Sequence, residues 1–185
     1  MIKDLVKGID NFKNIESALL AIATAIDNAN NLYEWKEIAR TKLVSESDTI
    51  TVDEIPARNY IKIVYHGIIS GTALDTILQF NDDTGTNYEY GGGVTNASSI
   101  GLDSSTNAGN AFAVLEFANK VDQDKLGWIM HTQANANNDG TASELRSQSW
   151  KWNDDTQQVE KVVITNIGAT TNFAVGSEII IYGHD

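Results

Sequence analysis

Residues 80–93, FNDDTGTNYEYGGG, bring Asp82, Asp83 and Glu89 together with Asn81, Asn87, Tyr88 and Tyr90. Side chains of these types can hold a hard cation, pass a proton between two carboxylates, or line a sugar site. A calcium loop of the EF-hand kind needs oxygen ligands at positions 1, 3 and 5, glycine at 6 and glutamate at 12. Counted from Asn81, position 5 is Gly85, position 6 is Thr86 and position 12 is Gly92, so the pattern fails. Residues 135–145, NANNDGTASEL, come nearer, with Asn135, Asn137, Asp139 and Gly140 at positions 1, 3, 5 and 6. Position 12 is then Arg146, which repels a cation. Both stretches read as turns between strands, because Asn and Asp bond their own backbone and accept positive φ as Gly does. The first is expected to be a hairpin with a polar tip facing water. No metal site is expected, and no cofactor.

Nucleophilic chemistry finds no better footing. His66, His131 and His184 have no ligand partner three or four residues away, and no G-x-S-x-G elbow occurs. GGG at 91–93 lacks the helix and lysine that would cradle a phosphate. Glycoside hydrolysis needs two facing carboxylates, but with 25 acidic residues some pair always meets that condition, so it selects nothing. No catalytic residue is assigned, and the chain is expected not to be an enzyme. Aromatic side chains remain. Trp150 and Trp152 share one face of a strand, with Lys151 on the other. With Tyr88 and Tyr90 they form a candidate ligand surface, since aromatic faces stack on sugar rings. The competing expectation for the two tryptophans is a core or a subunit interface.

Composition narrows the partners. A formal charge of −12 without a Lys/Arg cluster excludes a phosphate-neutralising face, so no nucleic acid is expected. The longest apolar run, Ala18 to Ala23, is far below the roughly 20 residues that cross a bilayer, so no membrane insertion is expected. No basic segment followed by an apolar one marks a secretory signal. Cysteine is absent, which removes disulfides, thiolate catalysis and Cys-type zinc sites.

Two kinds of element must position these residues. In residues 1–31, Leu5, Phe12, Ile15, Leu19, Ile22 and Ile26 recur at spacings of seven, three, four, three and four. That period predicts a helix with one apolar stripe. Leu5, Phe12, Leu19 and Ile26 fall at heptad position a, and Ile15 and Ile22 at d. Leu at a with Ile at d leans toward trimers or tetramers. Gly8 at a d position and the alanines 18, 23 and 25 weaken the coiled-coil reading, and a helix lying on its own domain competes with it. The DNANN of 27–31 ends the segment.

From Tyr33 onward the pattern has period two. Strands are predicted at 49–52, 60–69, 74–80, 111–119, 126–133, 144–152, 159–167 and 177–183. A break of phase within 159–167 predicts a bulge. Residues 94–110 read as a long polar loop and a candidate binding tip. The predicted fold is mainly β: an antiparallel β-sandwich or jelly roll with an N-terminal α-helix. The domains are 1–31, a helical anchor or oligomerisation segment, and 32–185, the sandwich.

Three stretches, WKEIARTKLVSESDTITVDEIPARNYIKI (35–63), LQFNDDTGTNYEY (78–90) and TNFAVGSEIIIYGHD (171–185), resemble small bacteriophage virion proteins. The shared features are a Trp-led strand, T-I-x-V-x-x-I-P-A-R-x-Y, F-N-x-D-x-G-x-N-Y and a closing G-S-E-I-I-I-x-G. The resemblance implies a jelly-roll-like module on the virion exterior, as in head decoration proteins, head fibres and tail appendages. It therefore implies localisation in the virion; with the heptad stripe of residues 1–31, which lies outside the shared pattern, the expectation is a homotrimer that attaches to capsid or other virion proteins through that segment. The alternative is an adhesin or receptor-binding module that takes a host surface glycan, and a polysaccharide hydrolase ranks last.

Overall fold

The computed structural model describes residues 15–17, 19–22, 34–70, 74–91, 93–105, 110–133, 144–167 and 172–185. The chain divides into two compact units, Met1–Glu34 with His184–Asp185, and Trp35–Gly183. In the first unit residues 15–17 and 19–22 are helical, and Ile15, Leu19 and Ile22 are each more than half exposed. Leu5, Phe12 and Ile26, the other members of the expected stripe, lie outside the described residues.

The second unit is built of short strands. In chain order these are β1 (Lys36–Lys42), β2 (Thr49–Val52), β3 (Tyr60–Ser70), β4 (Leu74–Phe80), β5 (Tyr88–Tyr90), β6 (Val94–Ala97) and β7 (Ile100–Ser105). There follow β8 (Asn110–Ala118), β9 (Lys125–Gln133), β10 (Glu144–Trp152), β11 (Val162–Asn166), β12 (Asn172–Phe173) and β13 (Glu178–His184). They form two antiparallel sheets, a sandwich as the sequence predicts. The larger runs β1-β13-β3-β8-β9-β10-β5-β6, with β12 on β3, and the smaller runs β2-β11-β4-β7.

Alternation along each strand sets which residues meet between the sheets. Ile61, Ile63 and Tyr65 of β3, Leu115 and Phe117 of β8, and Ile179 and Ile181 of β13 are buried in the large sheet's inner face. Ile50 and Val52 of β2, Leu78 and Phe80 of β4, and Val162 and Ile164 of β11 answer them from the small sheet. β1 is an edge strand and carries Lys36, Glu37, Arg40 and Lys42, charges that discourage pairing with another chain. Arg40 is held by Glu37 and Glu178, each at 2.8 Å.

Three local expectations change. The turn after β4 is not a hairpin, because β4 pairs with β11 and β7 while β5 pairs with β10 and β6. It carries the chain from one sheet to the other. The 94–110 loop holds β6 and β7. The phase break expected at Ile167 falls just past β11, which ends at Asn166 and pairs with β2 and β4 without a register shift, so no bulge interrupts it. The loop 134–143, where the second hairpin was expected, lies outside the described residues, although β9 and β10 do pair antiparallel.

Candidate functional site

Trp150 and Trp152 project inward from β10 and meet Phe80, which reaches across from β4. Ring centroids of Phe80 lie 5.3 Å from Trp150 and 5.4 Å from Trp152. Phe117 meets Trp150 edge-on at 5.0 Å, and Tyr88 stacks on Trp152 at 6.3 Å. Trp150, Trp152 and Tyr88 are buried. Their rings fill the space between the sheets, the core placement that competes with the expected ligand surface for the two tryptophans. Tyr90 is half-buried against the same core. The room for Trp150 comes from its cross-strand partner, Gly127. A Cβ there would sit 2.7 Å from the Trp150 ring, 2.8 Å from Phe117 and 2.5 Å from the Glu116 carbonyl.

The NDDTG turn is bonded into this core. Asn81 and Asp82 both take positive φ, 51° and 57°, which Asn and Asp tolerate better than other non-glycine residues. The Asn81 side chain accepts the amides of Glu160 and Lys161 and donates to the Gln158 carbonyl, tying the turn to the approach of β11. Asp83 accepts Trp152 Nε1 at 2.7 Å, the Gly85 amide at 2.8 Å and Asn87 Nδ2 at 3.0 Å. Burial raises its pKa, but these hydrogen bonds outweigh burial and hold the carboxyl below its usual range. The Tyr88 hydroxyl accepts the Phe80 amide at 2.9 Å, and burial pushes that phenol far up. With its oxygens committed to three donors, Asp83 is a clasp of the fold.

Lys125 is fully buried at the start of β9. Its ammonium donates to the carbonyls of Gln123 at 2.7 Å and Asp154 at 2.8 Å. Burial lowers its pKa, opposed by the nearby carboxylates of Asp154, Asp124 and Asp155. It joins the turn after β8 to the turn after β10.

The outer face of the large sheet is different in character. On β9 Leu126, Trp128 and Met130 point outward and are 61%, 41% and 38% exposed. Phe112 on β8 and Leu145 on β10 are exposed on the same face. Beside this apolar strip lies a cleft of about 400 Å³, bounded by Glu89, Leu126, Ser149, Lys151, Gly91 and Gly93 to Thr95, with Tyr90 and Trp150 of the predicted surface also at its wall. The backbone there needs Gly93, at φ +84°. Strand register builds the cleft. Lys151 pairs with Glu89 on one side and Leu126 on the other, so the three form one row across β5, β10 and β9. In a parallel row Ser149 pairs with Trp128, Trp128 with Glu116, and Glu116 with Lys62.

The polar heads of both rows are held in place. Asn153 Nδ2 donates to Glu89 at 3.0 Å, and Lys151 meets Asp124 at 2.9 Å, a bond that raises the lysine's pKa. Lys62 meets Glu116 at 2.7 Å and lies 4.5 Å over the ring of Trp35. The sequence reading missed the cleft but held its signal: Lys151 stands opposite the tryptophans on its strand, so burying Trp150 and Trp152 turns Lys151 and Ser149 outward.

No family model matches the sequence, and no curated protein matches it. Among solved structures the chain is similar to the CBM2 module of the evolved Dit of Lactobacillus casei BL23 phage J-1. Identity is 7% over 72% of this chain and 67% of that one, with a TM-score of 0.27. It is also similar to Scytalido-glutamic peptidase bound to a peptide-based transition state analog. There identity is 10% over 78% of this chain and 74% of that one, at a TM-score of 0.25. A third is an alginate lyase from Alteromonas sp.272, at 6% identity, 72% and 75% coverage and a TM-score of 0.19. One similar structure is thus a phage module, and at these TM-scores none carries an argument about ligand or chemistry. The expectation that the chain is not an enzyme is corrected by the second comparison. That similar structure is an enzyme, so the exclusion of catalysis is withdrawn, and no catalytic role follows in its place.

Proposed function

We propose that this chain is an exterior bacteriophage virion protein of the capsid decoration or fibre type. Copies assemble through the N-terminal segment, as a homotrimer, and the sandwich presents a surface to the exterior. The observation that carries this reading is the exposed stripe Ile15, Leu19 and Ile22 on the helical residues, set at spacings of four and three. These three side chains, 54%, 60% and 56% exposed, with Leu20 beside them at 70%, each forgo about 1 kcal/mol of burial, roughly half of what a fully buried aliphatic side chain gains. Copies of the same stripe supply the missing cover, and Leu at a with Ile at d favours more than two strands. The charged edge strand β1 supports the same reading, since it keeps neighbouring sandwiches from joining edge to edge. Capsid or other virion proteins are the further partners in this reading.

Immunogold labelling tests the assignment. Antibody raised against the purified chain is applied to intact, washed particles of the phage that encodes it. Label at regular positions on the particle exterior is the expected result. Label confined to soluble lysate protein, with bare particles, would remove the virion reading.

A further inference from the structure

We propose that the cleft bounded by Glu89, Ser149, Lys151, Leu126 and Val94, together with the neighbouring Trp128, binds a neutral saccharide chain. This goes beyond the virion reading and does not depend on how copies assemble. The cleft's volume of about 400 Å³ lies within the range of small-molecule sites, roughly 300–1,000 Å³. Its chemistry is that of a polyol site. A hydroxyl both donates and accepts, and the cleft offers the Glu89 carboxylate to accept and the Lys151 ammonium to donate, as cross-strand neighbours. Both groups are fixed by second partners, Asn153 and Asp124, so little ordering remains to be done on binding. Ser149 adds a hydroxyl to the floor.

The apolar requirement of a sugar is met beside these groups. A pyranose carries C–H faces as well as hydroxyls, and an indole ring with two side-chain torsions covers such a face at low entropic cost. Trp128 stands directly across from Ser149, and facing residues on adjacent strands have Cβ atoms about 4.5–5.5 Å apart. One ring in the cleft therefore places the next ring over Trp128, with Leu126, two residues along β9 on the same face, lining the cleft itself. Charge selects the class of saccharide. The cleft holds one carboxylate and one ammonium, and the chain carries −12 overall, so a polyanionic glycan is repelled while a neutral one is not.

Isothermal titration of the full chain tests the proposal. The probes are the neutral hexamers of β-1,4-glucose, α-1,4-glucose, β-1,4-mannose and β-1,4-N-acetylglucosamine, with a hexamer of hyaluronan as the anionic comparison. At least one neutral hexamer is expected to bind with Kd below about 1 mM. Trp128→Ala and Lys151→Ala are each expected to weaken that binding tenfold or more, and Thr165→Ala, on the small sheet, to leave it unchanged. Far-UV circular dichroism checks folding, and Lys151→Ala decides if Trp128→Ala unfolds. Binding by no neutral hexamer, binding of the anionic one alone, or binding that neither variant weakens would each overturn the proposal. Should Trp128→Ala instead lower the sedimenting mass while no saccharide binds, the face belongs to a second copy of the chain.

Discussion

At Asp83 one carboxylate accepts hydrogen bonds from an indole, a backbone amide and a side-chain amide, so its charged form is tied to the folded state. Its folded pKa lies below the unfolded value of about 3.9. The stabilisation is therefore fully present above that unfolded value and is lost as pH falls through the depressed folded one. Asp83→Asn keeps the shape but removes the charge and one acceptor. It is expected to lower the unfolding free energy by about 2 kcal/mol at pH 7, the scale of hydrogen bonds to a charged group. The gap should narrow at pH 3 and below. Urea denaturation of both proteins at the two pH values checks this, and an equal gap at both would show that the carboxylate's charge contributes nothing. The sequence marked these residues as a turn correctly, because turn chemistry is local: Asn and Asp accept positive φ wherever they stand. It could not show that Asp83 reaches Trp152, which is 69 residues away and arrives only through the pairing of β10 with β5.

Elements were legible where one face was plainly apolar. In β3, Ile61, Ile63 and Tyr65 alternate with Tyr60, Lys62, Val64 and His66, and burial follows the alternation. β9 defeats the same rule, since Leu126, Trp128 and Met130 are as apolar as Gly127, Ile129 and His131. The inner face is identified by Gly127, whose missing side chain leaves room for Trp150. Gly127→Ala is expected to destabilise the sandwich by about 1–3 kcal/mol, the usual cost of overpacking a core. Thermal unfolding followed by tryptophan fluorescence reads it directly, and an unchanged midpoint would mean that the contact between β9 and β10 is looser than described. β5 and β6 were not legible because YEY is only three residues long and VTNA has one large apolar side chain, whereas TITV of β2, equally short as β6, alternates Ile and Val with Thr. β1 entered only as the Trp-led strand of the resemblance and not by periodicity, because its charges interrupt the apolar alternation. The cleft needed all of β5, β6, β9 and β10 in register, and register between strands that lie far apart in the chain leaves no short-range mark.

At the scale of the whole molecule the two units differ in how they satisfy their apolar surface. The sandwich of Trp35–Gly183 buries aromatic and aliphatic side chains from both sheets between them. The helical residues of the N-terminal unit leave Ile15, Leu19 and Ile22 exposed. A heptad stripe is visible in sequence, but the number of copies that cover it is not, since Leu at a and Ile at d serve trimers and tetramers alike. Sedimentation equilibrium of the intact chain at micromolar concentration, beside the double variant Leu19→Asp, Ile22→Asp, tests assembly most directly. The account expects three times the chain mass for the intact protein. It expects a single chain mass for the variant, with an unchanged strand spectrum, because two unpaired carboxylates in an apolar seam are costly to bury. A single chain mass for the intact protein would contradict it.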